Sequence, residues 1–283
     1  MKFGAHISIA GGINKSFSKA KEIGCDTFQI FTRNPRSWKY KLLTDEVISE
    51  FKHNLKQYKI KPIYSHMPYL PNLASPDKDI RDKSISSIKI ELERCDSLNI
   101  PYIVTHLGSS KGEKKEIGIA NVIKTLDVVL EHYNGKCKIL LENTAGKNQR
   151  LGSSIIDICY ILTKVEFRDR LGLCLDTCHA FTSGYDLRQE NVIELILSEI
   201  GECVGLDKLK LIHCNDALAV LGSGIDRHEH IGLGKIGDIG FINMLKDKRV
   251  RKIPFICETP VDERRKDKDN LEYLRFLLKK SKN

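Results

Sequence analysis

No stretch of the 283-residue chain offers the run of about 20 apolar residues that a bilayer-spanning helix needs. The opening "MKFGAHIS" lacks the apolar core and cleavage site of a secretory leader, so a cytoplasmic protein is expected. There is no low-complexity linker and no shift in composition along the chain, which argues against a division into several domains. The nine cysteines give no disulfide framework: they are odd in number, scattered, and mostly inside apolar runs, as at Cys159, Cys174 and Cys257. Cys174 and Cys178 have neither zinc-knuckle nor redox spacing. Acidic residues are the short side of the charge balance, 37 against 46 basic ones. The resulting formal charge of +9 favours a polyanionic partner such as nucleic acid.

Eight β-like runs are present, with helical segments between them. They read "KFGAHIS", "TFQIFT", "PIYSHM", "YIVTHLG", "KILLENT", "LGLCLDT", "LKLIHCND" and "IPFICET". Thr44 is a plausible N-cap, and Val47, Phe51, Leu55 and Tyr58 follow on one helical face. Ile85, Ile88, Leu92 and Cys95 form a second such stripe, and Val122, Ile123, Leu126, Val129 and Leu130 a third. Strands alternating with helices imply parallel pairing through right-handed crossovers. Eight units in this length are most simply a single-domain (β/α)8 TIM barrel spanning residues 1–283, with a doubly wound open sheet as the alternative.

Six consecutive strands end in a metal-capable side chain: His66, His106, Glu142, Asp176, His213 and Glu258. A barrel gathers its C-terminal strand ends on one face, where catalytic groups of this fold sit. His179 follows strand six, and Asp226 and His228, two positions apart, point the same way in extended chain. Nine imidazole and carboxylate donors suit two or three ions if a carboxylate bridges. Zn²⁺ fits best, with Mn²⁺ or Fe²⁺ possible. His6 reads as a hydrogen-bonded core or rim residue, His53 and His132 as solvated, and His230 as an alternative to His228. Cys178, beside the ligands, reads as packing rather than as a nucleophile.

The loops on that face carry cations and aromatics. "TRNPRSWKYK" interleaves Arg33, Arg36, Lys39 and Lys41 with Trp38 and Tyr40, as phosphate and base contacts require. "MPYLPNLASP" presents Tyr69 and Leu70 on a proline-stiffened loop, a pair able to wedge into a duplex. "AGKNQR" adds Lys147 and Arg150.

These residues resemble the endonuclease IV family of metal-dependent abasic-site endonucleases over essentially the whole chain. "GAHIS", "FTRNPRSW", "LLENTAG", "LGLCLDTCHAFTSGYDL" and "DRHEHIGLGKIG" carry the resemblance. It implies a TIM barrel with three Zn²⁺. One would be held by His66, His106 and Glu142. A second would share Glu142 and use Asp176, His213 and Glu258, and a third would use His179, Asp226 and His228. Glu142 and Glu258 would act in catalysis. Arg36, Tyr69 and Leu70 would enter the DNA, while Lys147, read from its loop rather than from the resemblance, is expected to contact phosphate. The implied reaction cuts duplex DNA 5′ to an abasic site, leaving a 3′-hydroxyl and a 5′-deoxyribose phosphate, in base-excision repair. A monomer with no membrane partner is expected. Leu233, Leu107 and Cys214 depart from the family pattern, none at a ligand position. The competing readings are a barrel sugar isomerase or epimerase, and a non-catalytic DNA-binding barrel with structural zinc.

Overall fold

The computed structural model describes residues 1–146 and 150–282. Its strands are β1 (Phe3–Ala5), β2 (Phe28–Ile30), β3 (Ile63–His66), β4 (Tyr102–His106), β5 (Lys138–Glu142), β6 (Leu171–Asp176), β7 (Leu209–His213), β8 (Asp216–Ala217), β9 (His228–Glu229) and β10 (Phe255–Cys257). Eight of them form one all-parallel sheet in the order β1-β10-β7-β6-β5-β4-β3-β2. A parallel bridge between His6 and Gln29 joins its two ends and closes a (β/α)8 barrel. Closure needs Gly4, because a Cβ there would stand 1.8 Å from the Thr27 carbonyl oxygen. The open-sheet alternative is thereby excluded.

The helices are α1 (Ser16–Ile23), α2 (Asp45–Tyr58), α3 (Lys78–Ser97), α4 (Lys115–Leu130), α5 (Ile155–Lys164), α6 (Thr177–Thr182), α7 (Glu190–Val204), α8 (Gly237–Lys246) and α9 (Asp267–Lys280). Thr44 caps α2 by accepting from the Val47 amide, and Phe51 from the same stripe is wholly buried. Ile88, Leu92 and Cys95 of α3, and Val122, Leu126, Val129 and Leu130 of α4, also lie in the core between helices and barrel. None of the described helices is long and apolar enough to cross a membrane.

Inside the barrel, Tyr64, Val104, Leu140, Cys174, Leu211 and Ile256 form a separate buried cluster. Each stands two residues before a metal-capable strand end: His66, His106, Glu142, Asp176, His213 and Glu258. The period of two along a strand points both members of each pair inward. An apolar layer therefore plugs the barrel, and the polar layer lies directly above it, toward the C-terminal mouth. Cys174 belongs to the plug.

Candidate metal centre

Above the plug, the nine donors converge in three groups whose ligand atoms lie within 4.8 Å of one another. These are His66–His106–Glu142, Glu142–Asp176–His213–Glu258 and His179–Asp226–His228. Glu142 divides its oxygens between the first two. Oε2 stands 3.2 Å from His66 Nε2 and 3.5 Å from His106 Nε2, while Oε1 stands 2.9 Å from His213 Nδ1. In the third group, Asp226 Oδ1 lies 3.1 Å from His179 Nε2 and 3.6 Å from His228 Nε2.

The rings are held from behind. Nδ1 of His66, His179 and His228 faces the carbonyl oxygens of Met67, Asn143 and Glu258 at 2.7, 2.9 and 3.0 Å. A carbonyl only accepts, so each ring keeps its proton on Nδ1 and turns Nε2 inward. The carboxylates are oriented as well. Asp176 Oδ2 accepts from Asn215 Nδ2 at 2.7 Å, and Asp176 Oδ1 accepts from the His179 amide at 2.8 Å. Asn215 Oδ1 takes the Glu258 amide at 2.7 Å, and Asn143 exchanges hydrogen bonds with the Asp176 backbone. Sequence reasoning overlooked these asparagines, although Asn143 directly follows Glu142 and Asn215 lies two residues after His213.

Nε2 of His179 and of His228 is buried with no hydrogen-bond partner, despite the nearby Asp226 oxygen. Buried polar atoms are seldom left unpaired. Two imidazole nitrogens aimed into a cluster of carboxylates fit a divalent cation, and the mixed nitrogen and oxygen donor set suits zinc.

Burial penalises every charge here, yet the groups sustain one another. It would raise Glu142, but His106, His213 and His179 hold its carboxyl well below the usual range. Asp226 and Glu258 are likewise lowered by neighbouring histidines against the effect of burial. Burial would lower His66, His179 and His213, but the surrounding carboxylates keep His66 and His179 raised, and Cys174 together with Glu258 and Glu142 keeps His213 raised. His106, where burial wins, falls to about 4.

Cys178 also approaches Asp176 and His228. Burial pushes its thiol far up, and Sγ donates to the Arg227 carbonyl at 3.6 Å, so it is poorly suited to ligation. His230 lies outside the cluster, held by Asp262 and Asn270 at 3.0 Å each, and His53 and His132 are exposed. His6 is hydrogen-bonded at the edge of the centre: its Nδ1 is 3.3 Å from Glu258 Oε1, and it lines the same cavity as His66 and His106.

That cavity measures about 370 Å³. A neighbouring one of about 410 Å³ shares His66, Tyr69, His106 and Asp226 and extends along Leu70, Lys111 and Arg150. Tyr69 stands exposed on the wall common to both, with Leu70 exposed beside it in the second cavity, and the Tyr69 amide donates to the Pro35 carbonyl. Arg36, Trp38 and Tyr40 are exposed on the adjoining loop. Arg33 is not available to phosphate as its loop suggested. It is buried against Glu91 at 2.5 Å, with further bonds to Ser87 and to the Ser37 carbonyl. Lys147 lies outside the described residues.

Fold and donors together define a class: a (β/α)8 barrel whose strand ends build a metal centre at the C-terminal mouth. The family model for xylose isomerase-like TIM barrels matches residues 17–279. Within that class, the chain is 46% identical to a probable endonuclease 4 of Methanoculleus marisnigri, over 97% of this chain and 98% of the relative. It is also 46% identical to a probable endonuclease 4 of Nitrosopumilus maritimus, over 96% and 98%. The crystal structure of endonuclease IV from Thermus thermophilus superposes with a TM-score of 0.85 at 30% identity, covering 99% of this chain and all of that one. The chain belongs to the endonuclease IV family. D-psicose 3-epimerase of Clostridium cellulolyticum, at 16% identity and a TM-score of 0.67 over 98% of this chain and 99% of that one, shares the fold alone.

Proposed function

We propose that this chain is a zinc-dependent endonuclease that cuts duplex DNA 5′ to an abasic site, acting as a monomer in base-excision repair and leaving a 3′-hydroxyl and a 5′-deoxyribose phosphate. The observation that carries this is the convergence of three donor groups, two of them sharing Glu142, beside a wall that displays Tyr69 and Leu70. Three zinc ions, with Mn²⁺ or Fe²⁺ as substitutes, would be held by His66, His106 and Glu142, by Glu142, Asp176, His213 and Glu258, and by His179, Asp226 and His228. When bound, such ions supply Lewis acidity toward phosphate oxygens and lower the pKa of water.

The chain's own residues do the rest. Glu142 keeps two of the donor groups in register. Glu258 turns Oε2 inward and orients the attacking water. Tyr69 and Leu70 occupy the space left by the missing base, and Arg36 supports the strand. An abasic nucleotide has no base to read, so selectivity comes from its low cost of unstacking and from shape. The third donor group and the cationic, aromatic loops disfavour a sugar epimerase, which needs only a compact pocket.

The test is incision of a duplex with one abasic site, compared with an intact duplex and with a ketohexose epimerisation assay. Cutting confined to the 5′ side of the lesion supports the reading. Epimerisation without incision would overturn it.

A further inference from the structure

His213 is turned the opposite way from its neighbours. His66, His179 and His228 keep Nδ1 on a carbonyl and aim Nε2 inward. His213 aims Nδ1 inward, 2.9 Å from Glu142 Oε1 and 3.4 Å from Glu258 Oε2. Its Nε2 meets the side chain of Gln29, 2.9 Å from Oε1. Gln29 is a wholly buried residue of β2 whose other amide atom, Nε2, donates to Glu258 Oε1 at 2.6 Å.

The orientation of that amide follows from chemistry. An ionised carboxylate only accepts, so the amide nitrogen belongs on the Glu258 side and the amide oxygen on the His213 side. The oxygen then holds a proton on His213 Nε2. The nitrogen occupies Glu258 Oε1 and leaves Oε2 to face the cluster. We propose that Gln29 is a positioning residue for the group Glu142–Asp176–His213–Glu258: its single amide selects which nitrogen of His213 and which oxygen of Glu258 meet the metal. The same Nε2 lies 3.0 Å from His6 Nδ1, which ties His6 into the arrangement. Partners of this kind, one step behind the ligands, are worth roughly 10–100-fold in metal affinity or activity.

The inference rests on the metal-centre reading above, so the experiment separates the two. Histidine labelled with 15N is introduced into zinc-loaded wild-type protein, and long-range 15N–1H spectra report the tautomer of each metal-bound ring. One metal-bound ring should carry its proton on Nε2, among others protonated at Nδ1. Gln29→Met keeps the length but has no amide. It should disturb that signal and weaken zinc retention against a chelator by roughly 10–100-fold, with less effect on the melting of the metal-free protein. If Gln29→Met does not fold, the wild-type tautomer decides alone. A wild type that binds zinc with no ring protonated at Nε2 would overturn the role of Gln29. So would a variant whose zinc retention and Nε2 signal are unchanged. A wild type that binds no zinc would instead overturn the metal-centre reading.

Discussion

Tyr69 is 62% exposed, with its ring edge set on Phe31 at 5.3 Å. A large aromatic held in water beside a cavity is available to a stacked base or to the gap where one is missing. Stacking of this kind is worth about 1–3 kcal/mol per base by alanine substitution. Tyr69→Ala should therefore reduce the preference for abasic over intact duplex by about tenfold or more, read as a ratio of dissociation constants at one salt concentration. Equal loss on both duplexes would make Tyr69 a general contact. Glu142→Gln should abolish incision while leaving most of the DNA affinity, because the exposed basic loops still reach phosphate. Gel-shift titration beside the cleavage assay checks this.

The pH behaviour of the metal-free site has a definite sign. His66, His179 and His213 are raised above the ordinary imidazole value despite burial, the first two by the carboxylates around them and His213 by Cys174 with Glu258 and Glu142. Their contribution to stability is complete below the unfolded pKa of about 6.5 and fades as pH rises through the higher folded values. Glu142, Asp226 and Glu258 are lowered, so their contribution is present above about pH 4.5 and fades in acid. His6 and His106 are lowered by burial and work the other way, costing stability below about pH 6.5. The metal-stripped protein should thus melt highest at about pH 6 and lose stability both in acid and toward about pH 9. Zinc loading near neutral pH should release protons from the three raised histidines, a release measurable by calorimetry in buffers of different ionisation enthalpy. Zinc binding with no proton release would show that these rings are neutral in the empty site.

Among the elements, the loop between β2 and α2 shows where sequence reading stopped. "TRNPRSWKYK" presents several cations as equivalent, yet Arg33 turns inward and Arg36 outward. Nothing local distinguishes them. The partner that captures Arg33 is Glu91, on α3, and Thr32 and Arg94 complete the network through bonds of 2.6 and 2.8 Å. Removing one member of a buried ion pair costs about 3–5 kcal/mol. Glu91→Ala should lower the denaturation midpoint accordingly and loosen the loop carrying Arg36, Trp38 and Tyr40, so DNA affinity should fall with stability. The barrel strands were legible because each is a short, mostly apolar run, and six of them lead into a metal-capable side chain. The hairpin β8–β9 was not, because two-residue strands have no periodicity to read. Gln29 escaped notice for the same reason as Glu91: its partners His213 and Glu258 are distant in the chain.

For the whole molecule, the plug and the site are one construction. Six apolar side chains close the barrel, and the residues two positions further on form the layer facing the mouth. The period of a strand and the parallel register of the barrel convert a repeated sequence pattern into a ring of candidate ligands. This is why six of the nine donors could be read in advance from strand ends. The second layer of Asn143, Asn215 and Gln29 could not be, since asparagine and glutamine have many uses and only the fold shows which ligand each one turns. The most direct test is incision of an abasic-site duplex by chelator-stripped protein as zinc is added back in measured equivalents. Activity should be absent at first and saturate near three ions per chain, with intact duplex uncut throughout. Full activity in the stripped protein, or saturation at a single ion, would contradict a centre built from three donor groups.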